Sequence, residues 1–258
     1  MNSKELFISF YTIVRKDFVR IMRIWPQTFL PSVVTSVLYF LIFGTFLGSR
    51  IGSVHGVSYM QFVVPGLIML AVVTNSFTNV ASVMFQSKFF ARNIDEILVS
   101  PTPPWIIIVG FMSTGVVRGT LIGLLVLSVS LFFVKLTIAS IATVAVFLLL
   151  TSMVFSLAGL VNGIYAKSFD GITIIPTFVL TPLVYLGGVF YSATILPSVW
   201  QKLMYLNPIF YLINGFRRGL LGVSDVPLVT SVSMLLALVS VLGLINWYLL
   251  RRGLGLKQ

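Results

Sequence analysis

IIIVGFMSTGVVRGTLIGLLVLSVSLFFV at residues 106–134, KLT at 135–137 and IASIATVAVFLLLTSMVFSLAGLVNGI at 138–164 together decide the fold. Two apolar runs of 29 and 27 residues flank three loop residues, and Arg118 is the only charge in either run. A helix crosses the hydrocarbon core of a bilayer in about 20 residues, so each run is long enough to span. The pair predicts an antiparallel helical hairpin with a tight turn at Lys135, Leu136 and Thr137. Runs longer than the membrane requires are expected to tilt or to project beyond it. A transmembrane barrel is excluded, because its strands would alternate in polarity over roughly 10-residue segments.

Four further stretches of spanning length lie on either side: Phe29–Leu47, Phe62–Val83, Ile172–Phe190 and Leu228–Leu250. The expectation is an all-α integral membrane protein with six transmembrane helices, forming one transmembrane domain over residues 1–258. Composition agrees, since 58% of the residues are hydrophobic and only 9% charged, against about a quarter charged in a soluble domain. The absence of cysteine removes disulfide frameworks, thiolate metal cages and thiol nucleophiles.

Seventeen Lys and Arg against six Asp and Glu give a net charge of +11. Lys and Arg in short loops resist translocation, so their distribution sets orientation. With the N-terminus inside, Lys4, Arg15, Lys16, Arg20, Arg23, Lys88, Arg92, Lys167, Arg251, Arg252 and Lys257 fall on the cytoplasmic side. Arg50, Lys135, Lys202, Arg217 and Arg218 fall outside. Both termini are therefore expected in the cytoplasm, and the basic excess reads as topology rather than as a nucleic-acid surface. No cleavable signal peptide is expected, because residues 1–27 spread their charges along an amphipathic pattern. Leu6, Phe7, Phe10, Ile13, Val14, Phe18 and Ile21 share one side of that helix, with Lys16, Arg20 and Arg23 beside it. Such a helix lies along the inner interface of the lipid bilayer.

What the spans lack restricts the chemistry. Glu5, Asp17, Asp95, Glu96, Asp170 and Asp225 all fall outside them, and the lone His55 sits in the first outer loop. A proton-driven carrier needs ionisable groups inside the membrane, so that mechanism is disfavoured. No H-E-x-x-H, G-x-S-x-G or phosphate-cradling G-x-x-x-x-G-K-[ST] occurs, so neither enzymatic activity nor a bound cofactor is expected. Active transport would need a second protein to hydrolyse nucleotide. Arg118 costs about 2.5 to 3.5 kcal/mol at a helix centre on insertion scales. It therefore either faces a polar path or reaches an interface or helix carbonyls. Asn75 and Asn79, four apart, share a helix face and serve either a substrate path or interhelical hydrogen bonds.

Two connecting segments carry more pattern than a loop needs. In MFQSKFFARNIDEILVSPTPP, residues 84–104, Phe85, Phe89, Ile94 and Ile97 or Leu98 recur at helical spacing among Lys88, Arg92, Asp95 and Glu96, until Pro101, Pro103 and Pro104 end the helix. A short amphipathic helix with mixed charge and aromatics suits docking of a soluble partner. Residues 191–227 are aromatic and apolar but broken at Pro197, Asn207-Pro208 and Gly215. They predict two short helices dipping into the outer leaflet; a true span over about Trp200 to Leu221 is the rival, which the charge distribution opposes.

Together these features resemble the permease subunit of a bacterial type 2 ATP-binding-cassette (ABC) exporter. The likeness rests on the N-terminal amphipathic helix, the Asp95-Glu96-Ile97-Leu98-Val99-Ser100-Pro101 stretch, and Gly187-Gly188-Val189-Phe190 with Leu196-Pro197. Asn207-Pro208-Ile209-Phe210-Tyr211 with Arg217 completes it. The resemblance implies that residues 84–100 are the cytoplasmic coupling helix and residues 191–222 the outer re-entrant helix pair. It further implies a homodimer in the bacterial inner membrane, driven by separate cytoplasmic ABC ATPase subunits. Phe89, Arg92, Asp95 and Glu96 would then dock the ATPase, and Arg118, Asn75 and Asn79 would face the translocation path. A stand-alone secondary carrier or channel, or an assembly factor without transport, stands as the alternative. The substrate is not legible.

Overall fold

The computed structural model describes residues 2–48, 52–54, 56–90 and 93–255. Helix α1 (Ser3–Arg23) begins with a capping box, in which Asn2 Oδ1 accepts the Ser3 amide at 2.8 Å and Glu5 Oε2 accepts the Asn2 amide at 2.9 Å. Its last turn carries Arg20 and Arg23, which suit the negative end of the helix dipole. Helix α2 (Trp25–Phe40) widens into a π-helical turn at Leu41–Leu47. A two-residue hairpin, β1 (Ser53–Val54) with antiparallel β2 (Val57–Ser58), leads into α3 (Tyr59–Phe89). Then follow α4 (Asn93–Val99), α5 (Pro104–Ser130), α6 (Ile141–Tyr165) and α7 (Phe169–Leu186). Two short helices, α8 (Ser198–Leu206) and α9 (Pro208–Leu221), precede α10 (Leu228–Arg252).

Six of these helices, α2, α3, α5, α6, α7 and α10, are long and apolar enough to cross a membrane, as the hydropathy predicted. They divide by burial. Within α3, α5 and α6, 56% to 67% of the most apolar window is buried in the protein, against 11% to 22% in α2, α7 and α10. The first three form the core, and the others offer their apolar faces to lipid or to another protein. Small residues make the core possible. A Cβ at Gly115 would collide with Ser156 and Val80, one at Gly119 with Ser76 and Ser152, and one at Gly123 would lie 2.7 Å from Leu148 Cδ2. These three glycines, four apart, share one face of α5, so backbones approach where lipid provides no hydrophobic drive for association.

Some boundaries differ from the hydropathy reading for local reasons. Helix α5 stops at Ser130 and α6 starts at Ile141, so the turn at Lys135 is the middle of a ten-residue connection rather than a tight hairpin. Ser140 Oγ caps α6 by accepting the Thr143 amide, while the Ala139 and Ser140 amides donate to Leu220 and Gly219 of α9. The connection's polar groups are thus satisfied by the neighbouring helix instead of by lengthening α5. Helix α3 runs on through Phe89, so only seven residues of the 84–100 segment form the separate helix α4. In α7, Pro182 has no amide to donate, and the π-helical stretch Pro176–Leu180 lets both the amide and the hydroxyl of Thr181 reach Pro176 O.

Residues 191–222 form two short helices broken at Asn207-Pro208, not a single span. Asn207 Oδ1 caps α9 at the Ile209 amide, and its Nδ2 donates to Leu183 O at 2.6 Å. Arg217 corrects the charge count. It is 1% exposed rather than at the outer surface. Its Nη2 donates to Gly188 O at 2.7 Å, its Nε to Phe62 O at 3.3 Å, and its guanidinium carbon stands 3.8 Å from the centre of the Phe62 ring. Gly188 offers that carbonyl from a left-handed turn at φ +82°, where an added Cβ would strike Met204. The arginine fastens α9 to the start of α3.

Gly119→Leu is expected to abolish the close approach of α5 to α3 and α6, since overpacking typically costs about 1–3 kcal/mol. Gly243→Leu on α10, where nothing lies within 4 Å, should behave as the parent protein. Thermal unfolding in detergent checks the pair; equal midpoints for both variants would contradict the glycine-packed core.

Candidate functional site

Arg118, Asn75 and Asn79 come together where α1, α3 and α5 meet. Arg118 Nη1 donates to Asn79 Oδ1 at 3.2 Å and Nη2 to Asn75 Oδ1 at 3.4 Å. Asn75 Nδ2 donates to Ser32 Oγ of α2 at 3.2 Å. The charge inside the span is therefore met by amides rather than by an acid, which is how a bundle without intramembrane carboxylates accommodates a guanidinium.

Two members of this cluster come from the interfacial helix and were not singled out from sequence. Arg20 Nη2 also donates to Asn79 Oδ1, at 3.1 Å, and Arg20 Nε lies 3.3 Å from Asp17 Oδ1. Asp17 is only 4% exposed, and burial pushes its carboxyl up from the usual range against the opposing pull of Arg20. An acid in the basic second half of the helix, three residues before an arginine, was the available signal.

A groove of about 280 Å³ continues from Asn75 between α2, α3 and α7. Ser32, Thr35, Tyr39, Thr74 and Tyr185 contribute hydroxyls to it, and the two tyrosine hydroxyls stand 3.3 Å apart. Thr74 lies half-way along α3 and is exposed. Hydroxyls and amides at that depth are poorly matched to lipid chains, and groups of this kind line protein interfaces or wet cavities.

At the end of the bundle that carries α1 and the C-terminal turn, α4 rests on an apolar base. Ile94 is 1% exposed, packed in one cluster with Met84, Ile107, Leu160, Ile164 and Leu250. Glu96 is exposed and lines a cleft of about 380 Å³ with Ile8, Lys16, Asp17, Ser87 and Ile97. Phe89 turns inward, its ring 4.7 Å from that of Phe85, so it is half-buried rather than presented to a partner. Phe90, 66% exposed, and Val99 hold the outward apolar surface instead. Arg92 lies outside the described residues; Asp95 belongs to α4, but its side chain is likewise outside them.

The pattern places Lys88 among the charged residues of the 84–104 amphipathic helix, yet it is 7% exposed. Its Nζ donates to Ile164 O at 2.6 Å and to Gly255 O at 2.8 Å, and it lies 5.2 Å from the Phe89 ring centre. It ties the end of α3, just before α4, to the last turns of α6 and to the turn after α10. Carbonyls at helix C-termini carry partial negative charge, so an ammonium fits there without an acid.

Residues 8–221 match the family model described as ABC-2 type transporter. The chain belongs to the ABC-2 type transporter family. It is a transmembrane permease subunit of an ABC transporter, a multi-pass membrane protein whose family implies an ATPase partner. The permease is 55% identical over 251 residues to inner membrane transport permease YadH of Escherichia coli strain K12, covering 97% of this chain and 98% of that one. It is 25% identical to nodulation protein J of Neorhizobium galegae over 215 residues, 83% of this chain and 82% of that one. Nodulation protein J of Rhizobium leguminosarum bv. viciae is also 25% identical, over 238 residues. Family membership sets aside the readings as a stand-alone carrier or an assembly factor.

Lys88→Met in the permease is expected to leave two helix-end carbonyls unpaired and to loosen the C-terminal turn. Hydrogen exchange at Leu254, whose amide bonds to Leu249 O at 3.1 Å, should accelerate by about tenfold or more, the loss of one charge-assisted bond being about 1.5–3 kcal/mol. Unchanged exchange there would mean that Lys88 does not hold the turn.

Proposed function

We propose that the permease acts as a homodimeric exporter in the bacterial inner membrane, with both termini cytoplasmic and α4 docked on a cytosolic ABC ATPase. Arg118, Asn75 and Asn79 line the start of the path, and the hydroxyl groove of α2, α3 and α7 continues it between the two copies. The observation that carries this reading is the groove itself. Hydroxyls half-way along a spanning helix, among apolar groups between α2 and α7, two helices little covered by their own chain, form the surface a second copy would enclose around a wet pathway.

The docking side follows from charge and exposure. Glu96, Phe90 and Val99 combine an acid with apolar contact area at the base of α3; Glu96 shares its cleft with Lys16 of α1, and Lys88 ties the end of α3 to the turn after the basic C-terminus of α10. The exposed cations Lys4, Arg15, Lys16, Arg251 and Arg252 of α1 and α10 suit cytoplasmic placement of that end. An ATPase that binds ATP better in one packing of the dimer than in the other would shift the population between inward-facing and outward-facing states through α4.

Two variants separate docking from passage in one assay of the reconstituted complex with its ATPase. Thr35→Trp, which fills the groove, is expected to cut ATP-dependent transport by about tenfold or more while leaving the ATPase bound. Glu96→Lys is expected to lose the ATPase on co-purification with normal permease levels, because a like charge replaces a rim acid. Full transport by the first, or full co-purification by the second, would contradict the corresponding half of the proposal.

A further inference from the structure

Arg20 and Arg118 direct their guanidinium groups at the same neutral oxygen, Asn79 Oδ1, at 3.1 and 3.2 Å. A neutral amide orients two cations but does not neutralise them, and like charges this close repel in a low-dielectric setting. Among the described residues of α1, α3 and α5, Asp17 is the only acid within ion-pair distance of an arginine; it also acts on Arg118, and one carboxylate balances at most one of the two guanidinium groups. The cluster therefore carries uncompensated positive charge inside the protein boundary.

At Arg20 the cluster meets an open cleft along α1, and Arg118 and Asn79 lie behind Arg20 rather than in the cleft lining. A cleft of about 550 Å³ reaches Arg20 and is lined by Tyr11, Thr12, Arg15, Lys16, Val19 and Arg23, with no acid among its lining residues. Arg15 lies 5.9 Å from the Tyr11 ring centre. On the apolar side of α1, Phe7 and Phe18 stay exposed, and Ile8 is exposed on the side of the cleft, so an acyl chain lying along the helix would find hydrocarbon contact next to the basic cleft. From Arg118 the hydroxyl groove leads onward through Asn75. Guanidinium groups offer forked donors that suit phosphate and carboxylate oxygens.

We propose that the Arg20–Arg118 pair, entered through the Arg15, Lys16 and Arg23 cleft, binds the anionic headgroup of a molecule carried on an apolar chain. This goes beyond orienting α1 at the interface, because it makes Arg118 within the span and Arg20 on α1 two halves of one anion site. It deepens the proposed path by assigning it an amphipathic anion at its entrance, and it rests on that path only for what happens after binding. Two sources supply this chemistry: a resident anionic phospholipid, or an anionic amphiphile carried as cargo.

The test uses the permease assembled with its ATPase in nanodiscs of phosphatidylcholine, without nucleotide. Binding of dodecyl phosphate, below its micelle concentration, is compared by calorimetry with that of dodecyltrimethylammonium and dodecyl maltoside. Dodecyl phosphate should bind at least about tenfold more tightly than either, a difference within reach of charge-assisted pairing. Arg20→Gln and Arg118→Gln should each remove most of that preference, and Arg118→Lys should retain part of it. If Arg118→Gln does not fold, Arg20→Gln decides, because Arg20 is about one-third exposed and outside the spans. Equal affinity for the three amphiphiles, or a preference that survives Arg20→Gln, overturns the site. Discs containing phosphatidylglycerol separate the sources. Competition with dodecyl phosphate without ATP-dependent movement of either assigns a resident lipid, whereas ATP-dependent movement of dodecyl phosphate assigns cargo. Binding is read before any transport, so a blocked Thr35→Trp path that still binds dodecyl phosphate distinguishes failure of the site from failure of the path.

Discussion

Close approach of α5 to α3 and α6 at Gly115 and Gly119 sets the reach of everything polar in the bundle. Arg118 lies between these glycines in the chain, and only because the backbones nearly touch do its two terminal nitrogens meet both Asn75 and Asn79 of α3. On α6, Gly159 and Gly163 do the same against Phe77 and Ala81. That contact carries the end of α6 to within 2.6 Å of Lys88. In lipid there is no hydrophobic force drawing helices together, so small residues and polar side chains that satisfy one another must supply the association.

Buried cations then mark both ends of α3. Arg217 is held by Phe62 and Gly188 carbonyls at one end, and Lys88 by Ile164 and Gly255 carbonyls at the other. Neither is matched mainly by a neighbouring acid in these bonds; backbone oxygens take that role. Helix α3 is thereby fastened to α9 above and to α6 and the turn after α10 below, with the Arg118 cluster between. A displacement of α4, which begins five residues after Lys88, would be transmitted into a rod tied along its length. Two discrete packings of such a rod suit a transporter better than gradual bending, because packed interfaces are bistable.

Much of this was readable in the sequence, for identifiable reasons. Long apolar runs announce spanning helices because each must satisfy its own backbone, and all six appear. The i, i+4 spacing of Asn75 and Asn79 was enough to place them on one face, but that Arg118 of α5 meets them follows from helix packing that the spacing does not report. Charge counting, by contrast, reports the side of the membrane and not burial, so Arg217 counted as an outer cation and Lys88 as a charged residue of the cytoplasmic helix although both are interior. The 131–140 connection was misjudged because its helix ends are decided by the Ser140 cap and by amides reaching Gly219 and Leu220, contacts nearly eighty residues away in the chain. Phe89 and Phe90 are adjacent, and which one turns outward depends on the path of α3 past Met84, which periodicity did not reveal.

The chain's lack of cysteine makes opening of the groove directly measurable. A single substitution, Thr74→Cys, places one thiol at the middle of the hydroxyl groove in the complex with the ATPase. Its reaction rate with a membrane-impermeant maleimide, with and without trapped ATP, reports whether the groove opens to water in a nucleotide-dependent way. Nucleotide-driven opening of the groove should change the rate by about tenfold or more between the two states, corresponding to a population shift of roughly 1.4 kcal/mol. A rate that is the same in both states, in a complex that still transports, would contradict it.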